Sequence, residues 1–207
     1  MFTIDDMKTY YNERAPEYDD WLLGTGLYAE LDRPGWHEEV WALERVIAEL
    51  PPARSLDVAC GTGFLTRFLR GHVTGLDQSE RMLEIASCRV PGGRMVAGDG
   101  LALPFPDDAF DRVVTGHFYG HLNPGERARF LAEARRVAGE LVVIDAALHE
   151  GVEPEEMQER KLKDGSRHQV YKRYFAPEAL AEELGGGETL HAGHWFVVVR
   201  SPRPDRD

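Results

Sequence analysis

A short apolar stretch that runs into glycines constrains this chain most: Leu56-Asp57-Val58-Ala59-Cys60-Gly61-Thr62-Gly63. Ser55 to Val58 reads as a strand that ends in a sharp turn. Gly61 and Gly63 let the backbone bend there and approach a ligand with no Cβ in the way, and Ala59 is small enough for the same purpose. Downstream, apolar runs and amphipathic stretches alternate. His72–Leu76, Arg94–Val96, Arg112–Thr115 and Glu140–Ile144 read as strands. Phe64–Leu69, Ser79–Ser87 (with Ser79 as N-cap) and Glu126–Val137 read as the helices between them.

That alternation predicts an α/β fold, a Rossmann-like doubly wound sheet that is mostly parallel and covered on both faces. Pro177–Leu184 reads as one more helix. Thr189–His191 and Trp195–Arg200 lie too close for a crossover, so an antiparallel C-terminal strand pair is expected. Before the first strand, Trp36–Leu50 carries Val40, Leu43, Ile47 and Leu50 at helical spacing and is stopped by Pro51-Pro52. The opening Asp5–Trp21 is polar with interleaved aromatics, and Pro16 suits a break between two short helices.

The length of 207 residues suits a single domain, residues 1–207. No apolar run approaches 18 residues, which argues against a membrane span. The N-terminus lacks the basic and apolar regions of a leader, and two cysteines are too few for a disulfide framework, so a cytoplasmic setting is expected. The net charge of −12 weighs against wrapping a nucleic acid backbone and favours a small-molecule partner. No cluster suggests a metal.

In open α/β sheets ligands collect at the carboxyl ends of the strands. Asp77, at the end of the second strand, is placed to accept hydrogen bonds from both hydroxyls of a ribose. A dinucleotide site would share these features, but the pyrophosphate fingerprint wants a third glycine where Thr66 stands. Asp57 would also repel a pyrophosphate, whereas it can pair with an ammonium. A nucleoside with a cationic amino-acid tail fits better, and S-adenosylmethionine (SAM) is such a molecule.

The Leu56–Gly63 stretch resembles motif I of the class I SAM-dependent methyltransferases. Gly75–Ser79 with Met82-Leu83 resembles the ribose-binding motif that follows. Gly98-Asp99-Gly100, then Leu103-Pro104-Phe105 and Phe110-Asp111, resembles the adenine-binding segment. The likeness is greatest to small-molecule enzymes of the ubiquinone/menaquinone-biosynthesis type, and runs from about Tyr10 to Ile144. It implies that Asp57, Ala59, Gly61 and Gly63 face the methionine portion. Asp77 and Gln78 then serve the ribose, Met82 the adenine or the core, and Asp99 and Gly100 the adenine. It implies that Tyr11 and Tyr18, in a Tyr-x6-Tyr pattern, belong to an N-terminal lid (residues 1–35) over the carboxylate, or else simply pack the helices. His117, after the fourth strand, would border the methyl-transfer site, and S-adenosylhomocysteine (SAH) would be the product.

SAM is already activated, so transfer to O, N or C of an acceptor is chiefly a matter of in-line positioning. A general base is useful only where the acceptor loses a proton, and His117 and His121 are the candidates. Tyr119, between them, is expected to bind the acceptor. An insertion, residues 150–176, is locally basic. Its Arg167, His168, Tyr171 and Arg173 are expected either to bind an acidic or phenolic acceptor or to form a solvated face. A protein methyltransferase, and a SAM-binding module without transfer, remain alternatives, as does either a monomer or a homodimer.

Overall fold

The structure is a computed structural model that describes residues 4–202, with side chains from Lys8 onward. Met1–Thr3, the start of the segment in which no leader was read, and residues 203–207 lie outside the described residues. The elements run α1 (Ile4–Arg14), α2 (Asp20–Leu23), α3 (Trp36–Glu49), β1 (Ala53–Val58), β2 (Gly71–Asp77) and α4 (Glu80–Arg89). They continue with β3 (Arg94–Ala97), β4 (Phe110–Gly116), α5 (Pro124–Val137) and β5 (Ala138–Ala146). Then come β6 (Glu155–Lys161), β7 (Arg167–Arg173), α6 (Pro177–Glu183), β8 (Glu188–Ala192) and β9 (Phe196–Pro202).

Seven strands form one sheet in the order β3-β2-β1-β4-β5-β9-β8. β1 to β5 run parallel, while β9 is antiparallel to both β5 and β8. The order reverses beside β1, so the carboxyl ends of β1 and β4 open the crevice where α/β sheets bind ligands. Alternate residues of the central strands go to opposite faces. Val113, Leu141, Val143, Val197 and Val199 join Phe130, Ala134 and Val137 of α5 and Leu180 of α6. Val114, Val142, Ile144, Phe196 and Val198 join Val40, Leu43 and Ile47 of α3 on the other face. Strands buried on both faces read as the near-continuous Val/Ile/Leu runs seen in the sequence.

Caps hold the helix starts. Ser79 Oγ accepts from the Met82 amide at 3.2 Å. Asn123 and Glu126 form a reciprocal capping box at the start of α5. The expected helix at Phe64–Leu69 is corrected: only a single 3-10 turn forms, over Thr66–Phe68. Its first residue is tied down by a bond from the Thr66 hydroxyl to Asp57 at 2.6 Å. Leu69 is already extended two residues before β2 begins, which leaves no room for further turns. Between residues 150 and 176 the chain makes a separate antiparallel hairpin of β6 and β7, pairing Glu155 with Arg173 through to Lys161 with Arg167.

Candidate active site

The turn after β1 is held by Asp77. Its Oδ2 accepts from the Gly61 amide at 2.9 Å and its Oδ1 from the Ser79 amide at 2.9 Å. The carboxyl is buried, and burial raises its pKa against those two hydrogen bonds. Ala59 and His117, one residue past β1 and β4, both adopt left-handed backbone with φ of +57°. Such strain in non-glycine residues costs about 1–3 kcal/mol each and gathers at functional sites.

The N-terminal segment lies over this turn. A Cβ on Gly61 would stand 3.3 Å from the Tyr18 ring, so glycine lets Tyr18 rest on the loop. Tyr11 and Tyr18 meet edge to face at 6.3 Å. The segment is latched to the sheet by several polar contacts. Ser79 Oγ donates to Asn12 at 2.7 Å, Thr62 Oγ1 donates to Asp19 at 2.6 Å, and Arg89 pairs with Asp19 at 2.7 Å.

Behind the turn, Asp57 is 4% exposed, and burial raises its carboxyl to about pH 7 despite the Thr66 hydroxyl bond. Thr66 therefore stands where a third glycine would be because its hydroxyl satisfies that carboxyl. Past β4, His117 is buried between Trp21 and Phe196, with ring centroids 4.8 and 5.4 Å away. Burial, with help from Lys172, lowers its pKa to about 4, and its Nε2 has no hydrogen-bond partner. His121 has Nδ1 2.7 Å from the Tyr171 carbonyl. That contact makes Nδ1 the donor and leaves Nε2 as the acceptor. Burial and Lys172 also push His121 well below the usual imidazole range.

Two cavities meet here. One, of about 220 Å³, is bordered by Ala59, Gly61, Asp77, Gln78, Met82, Asp99, Gly100 and Phe118. The other, of about 270 Å³, lies between the N-terminal segment, the β6–β7 hairpin and the Trp195 loop. Tyr11, Tyr18, His117 and His121 border both. The first can hold a nucleoside at the ends of β1, β2 and β3; the second can hold a compact second molecule beside it.

A family model described as a methyltransferase domain matches residues 56–141. A demethylmenaquinone methyltransferase of Thermotoga maritima is 39% identical over 143 residues, covering 65% of this chain and 59% of that protein. One from Lysinibacillus sphaericus is 35% identical over 112 residues, covering 50% of this chain and 46% of that protein. The chain spans about half the length of the curated relatives it matches. Among solved structures, the DhpI–SAH complex superposes with a TM-score of 0.74 at 27% identity, covering 98% of each chain. The DhpI-SAM-HEP complex gives 0.76 at 26%, covering 96% of this chain and 97% of that one. Over residues 56–141 the chain is similar to a methyltransferase domain, and its fold is similar to that of the DhpI complexes with SAH and SAM.

The expected residues divide into two groups. Tyr11, Tyr18, Ala59, Gly61, Asp77, Gln78, Met82, Asp99, Gly100, His117 and His121 all border the first cavity. Asp57 borders a small adjoining cavity behind Ala59 instead. Gly63 turns away: a Cβ there would stand 3.2 Å from Ala86 of α4, so this glycine serves close helix packing. Asp99 also accepts from the Leu101 amide at 2.8 Å, closing its own loop.

The expected acceptor-side residues are not brought to the second cavity. Arg167 is exposed and paired with Glu159, and Tyr171 donates to Glu155. Arg173 pairs with Glu155 and Glu183. His168 packs on the Tyr10 ring at 4.7 Å, and Tyr119 is wholly buried with its hydroxyl on Glu183. In their place stand Arg14, Arg33, Gln158, Arg160, Lys172 and Tyr174, with Trp21, Trp36 and Trp195. Arg14 lies inside the Tyr-x6-Tyr pattern, and Arg160 and Lys172 lie in the locally basic insertion, but nothing in either stretch singles them out; Arg33 had no local signal.

Proposed function

We propose that the protein transfers a methyl group from SAM to a small-molecule acceptor at O, N or C, by in-line displacement. The observation that carries this reading is the pair of adjoining cavities that share Tyr11, Tyr18, His117 and His121 as a common wall. The donor would occupy the first and the acceptor the second. The residues present fit the donor: Gly61 keeps the loop free of a Cβ, and each Asp77 oxygen has a lone pair beyond its amide bond for a ribose hydroxyl. Asp99 and the Gly100 backbone would meet the adenine, with Met82 beneath it, and Asp57 would answer the charge of the amino-acid end. Bound there, SAM supplies a methyl already activated on a sulfonium.

The chain's own part is then to orient and to exclude water. Tyr11 and Tyr18, whose hydroxyls burial keeps protonated, would cover the donor. His117 and His121 are held neutral, which makes them weak bases and good hydrogen-bond acceptors, so they orient an acceptor's O–H or N–H more than they remove its proton. Residues 1–35 act as the lid and 150–176 as the acceptor-side insertion of a single domain, working as a monomer or homodimer in the cytoplasm. Among the described residues no helix is long and apolar enough to cross a membrane.

The test has two parts. Calorimetry with SAM and with NAD should give binding of SAM alone; tight NAD binding without SAM binding overturns the donor assignment. Incubation with labelled SAM and a metabolite extract, followed by mass analysis, should yield a methylated small molecule. Label found on protein, or nowhere, replaces this reading with a protein methyltransferase or a SAM-binding module.

A further inference from the structure

The second cavity carries charge of the opposite sign to the chain. Acidic residues outnumber basic ones 36 to 24 in the sequence, yet the cavity wall holds Arg14, Arg33, Arg160 and Lys172 and neither Asp nor Glu. Lys172 is already matched by Asp145 at 2.5 Å. The three arginines form no ion pair among the described residues. Arg14 donates to the Tyr10 hydroxyl at 2.6 Å and lies 5.0 Å over the Tyr18 ring. Arg33 donates to the Trp21 carbonyl at 2.9 Å and lies 3.8 Å over the Trp36 ring. The side chain of Arg160, a half-buried residue on β6, makes no hydrogen bond among the described residues.

Three guanidiniums of like charge around one partly enclosed space repel one another and lose hydration there. A planar guanidinium that is stacked and anchored on one side presents its remaining N–H fork to a carboxylate or phosphoryl group. The same wall carries two buried polar atoms with no partner, His117 Nε2 and Gln158 Oε1. Buried polar atoms are rarely left in that state, and both residues border the space the arginines surround.

We infer that the acceptor is a small oxyanion-bearing molecule whose carboxylate or phosphoryl group is held by Arg14, Arg33 and Arg160, with a hydroxyl or amine reaching Gln158 and His117. This rests on the reading of the second cavity as the acceptor chamber. The aromatic walls then exclude water from the anion and strengthen its pairing with the arginines.

The chamber reports on itself, because Trp21, Trp36 and Trp195 border it while the fourth tryptophan, Trp41, is exposed elsewhere. Tryptophan emission is followed while the protein, with and without saturating SAH, is titrated with acetate, inorganic phosphate and neutral acetamide. At least one anion should bind about 10-fold or more tighter than acetamide. Raising salt from about 50 mM to about 500 mM should weaken that binding. Acetate against phosphate tells which oxyanion the chamber prefers. Arg160→Gln should lose most of the anion affinity with an unchanged melting temperature and unchanged SAH affinity, and Arg160→Lys should recover part of it. The inference is overturned if acetamide binds as well as both anions, or if Arg160→Gln and Arg33→Gln bind them as wild type does. Failure of SAH to bind is a separate result that strikes the donor assignment alone, since the anion titration is also read without SAH.

Discussion

Lys172 and Asp145 form an ion pair, Nζ to Oδ1 at 2.5 Å, that joins the β6–β7 hairpin to the end of β5. Asp145 is fully buried, and its Oδ2 accepts from the Gly120 amide at 2.7 Å. Burial alone would raise this carboxyl, but Lys172 holds it below the usual carboxylate range. Its contribution is therefore complete above the unfolded carboxylate pKa and is lost only as pH falls through the lower folded value. Asp145→Ala strands a buried ammonium beside His117 and His121 and should cost about 3–5 kcal/mol. Urea unfolding at neutral pH checks this; a loss below about 1 kcal/mol would mean that Lys172 escapes to solvent.

The parity of that same hairpin explains the largest gap between sequence and structure. Along β7 the eye is drawn to Arg167, His168, Tyr171 and Arg173, yet side chains alternate across a strand, and the register puts Lys172 opposite Glu156 and Val170 opposite Gln158; His168 shares their parity but packs on the Tyr10 ring. The cavity takes the even face, with Gln158, Arg160, Lys172 and Tyr174, and the odd face pairs with Glu155, Glu159 and Glu183. One residue of phase separates a solvated face from a chamber wall, and no local pattern in a strand reading Glu-Glu-Met-Gln-Glu-Arg-Lys fixes the phase. The parallel sheet was legible because its strands are buried on both faces and need continuous apolar runs. Arg33 is different again: it reaches the chamber only because a flexible Gly/Pro stretch returns to stack on Trp36.

Asp57 gives a prediction with opposite effects on stability and binding. Its folded pKa, about 7, lies above the unfolded value, so the native state holds an extra proton between about pH 4 and 7. Stability from this group is greatest at low pH and falls, by up to about 1.4 kcal/mol per pH unit, as pH rises through that window. Asp57→Asn should remove the slope and raise the melting temperature of the cofactor-free protein near pH 8. It should also weaken SAM binding, because the charge meant for the ammonium is gone. Melting curves across pH for both proteins, with SAM calorimetry on each, test the pair of effects; a variant that is less stable at pH 8 would contradict the first.

Asp19 should behave as a latch. It accepts from Thr62 at 2.6 Å and pairs with Arg89 at 2.7 Å, tying the N-terminal segment to the cofactor loop. Both partners are partly exposed, so the stability lost in Asp19→Ala should be about 1 kcal/mol or less. The effect on ligand should be larger, since a segment that opens more often leaves the donor cavity uncovered. SAM should dissociate several-fold faster in stopped-flow measurements with its association rate little changed; equal dissociation rates would leave the contact a purely structural one.

His117 supplies the last prediction. Its folded pKa of about 4 lies below the ordinary imidazole value, so protonation favours the unfolded chain. Stability should therefore be lost as pH falls from about 6.5 towards 4, again by up to about 1.4 kcal/mol per unit, and His117→Asn should flatten this part of the curve. Above about pH 5 the ring is neutral throughout, and its Nε2 has no hydrogen-bond partner within the protein. Ring resonances assigned by comparison with His117→Asn should not move between about pH 5.5 and 8 in the protein without acceptor. A titration midpoint near 6.5 would place the ring in solvent and remove it from the wall between the two cavities. Given the neutral ring, turnover should carry no acid limb from this residue in that range. His117→Gln, which keeps an acceptor but cannot titrate, should retain more activity than His117→Phe, which keeps only the shape. Equal rates for the two variants would show that shape alone matters there.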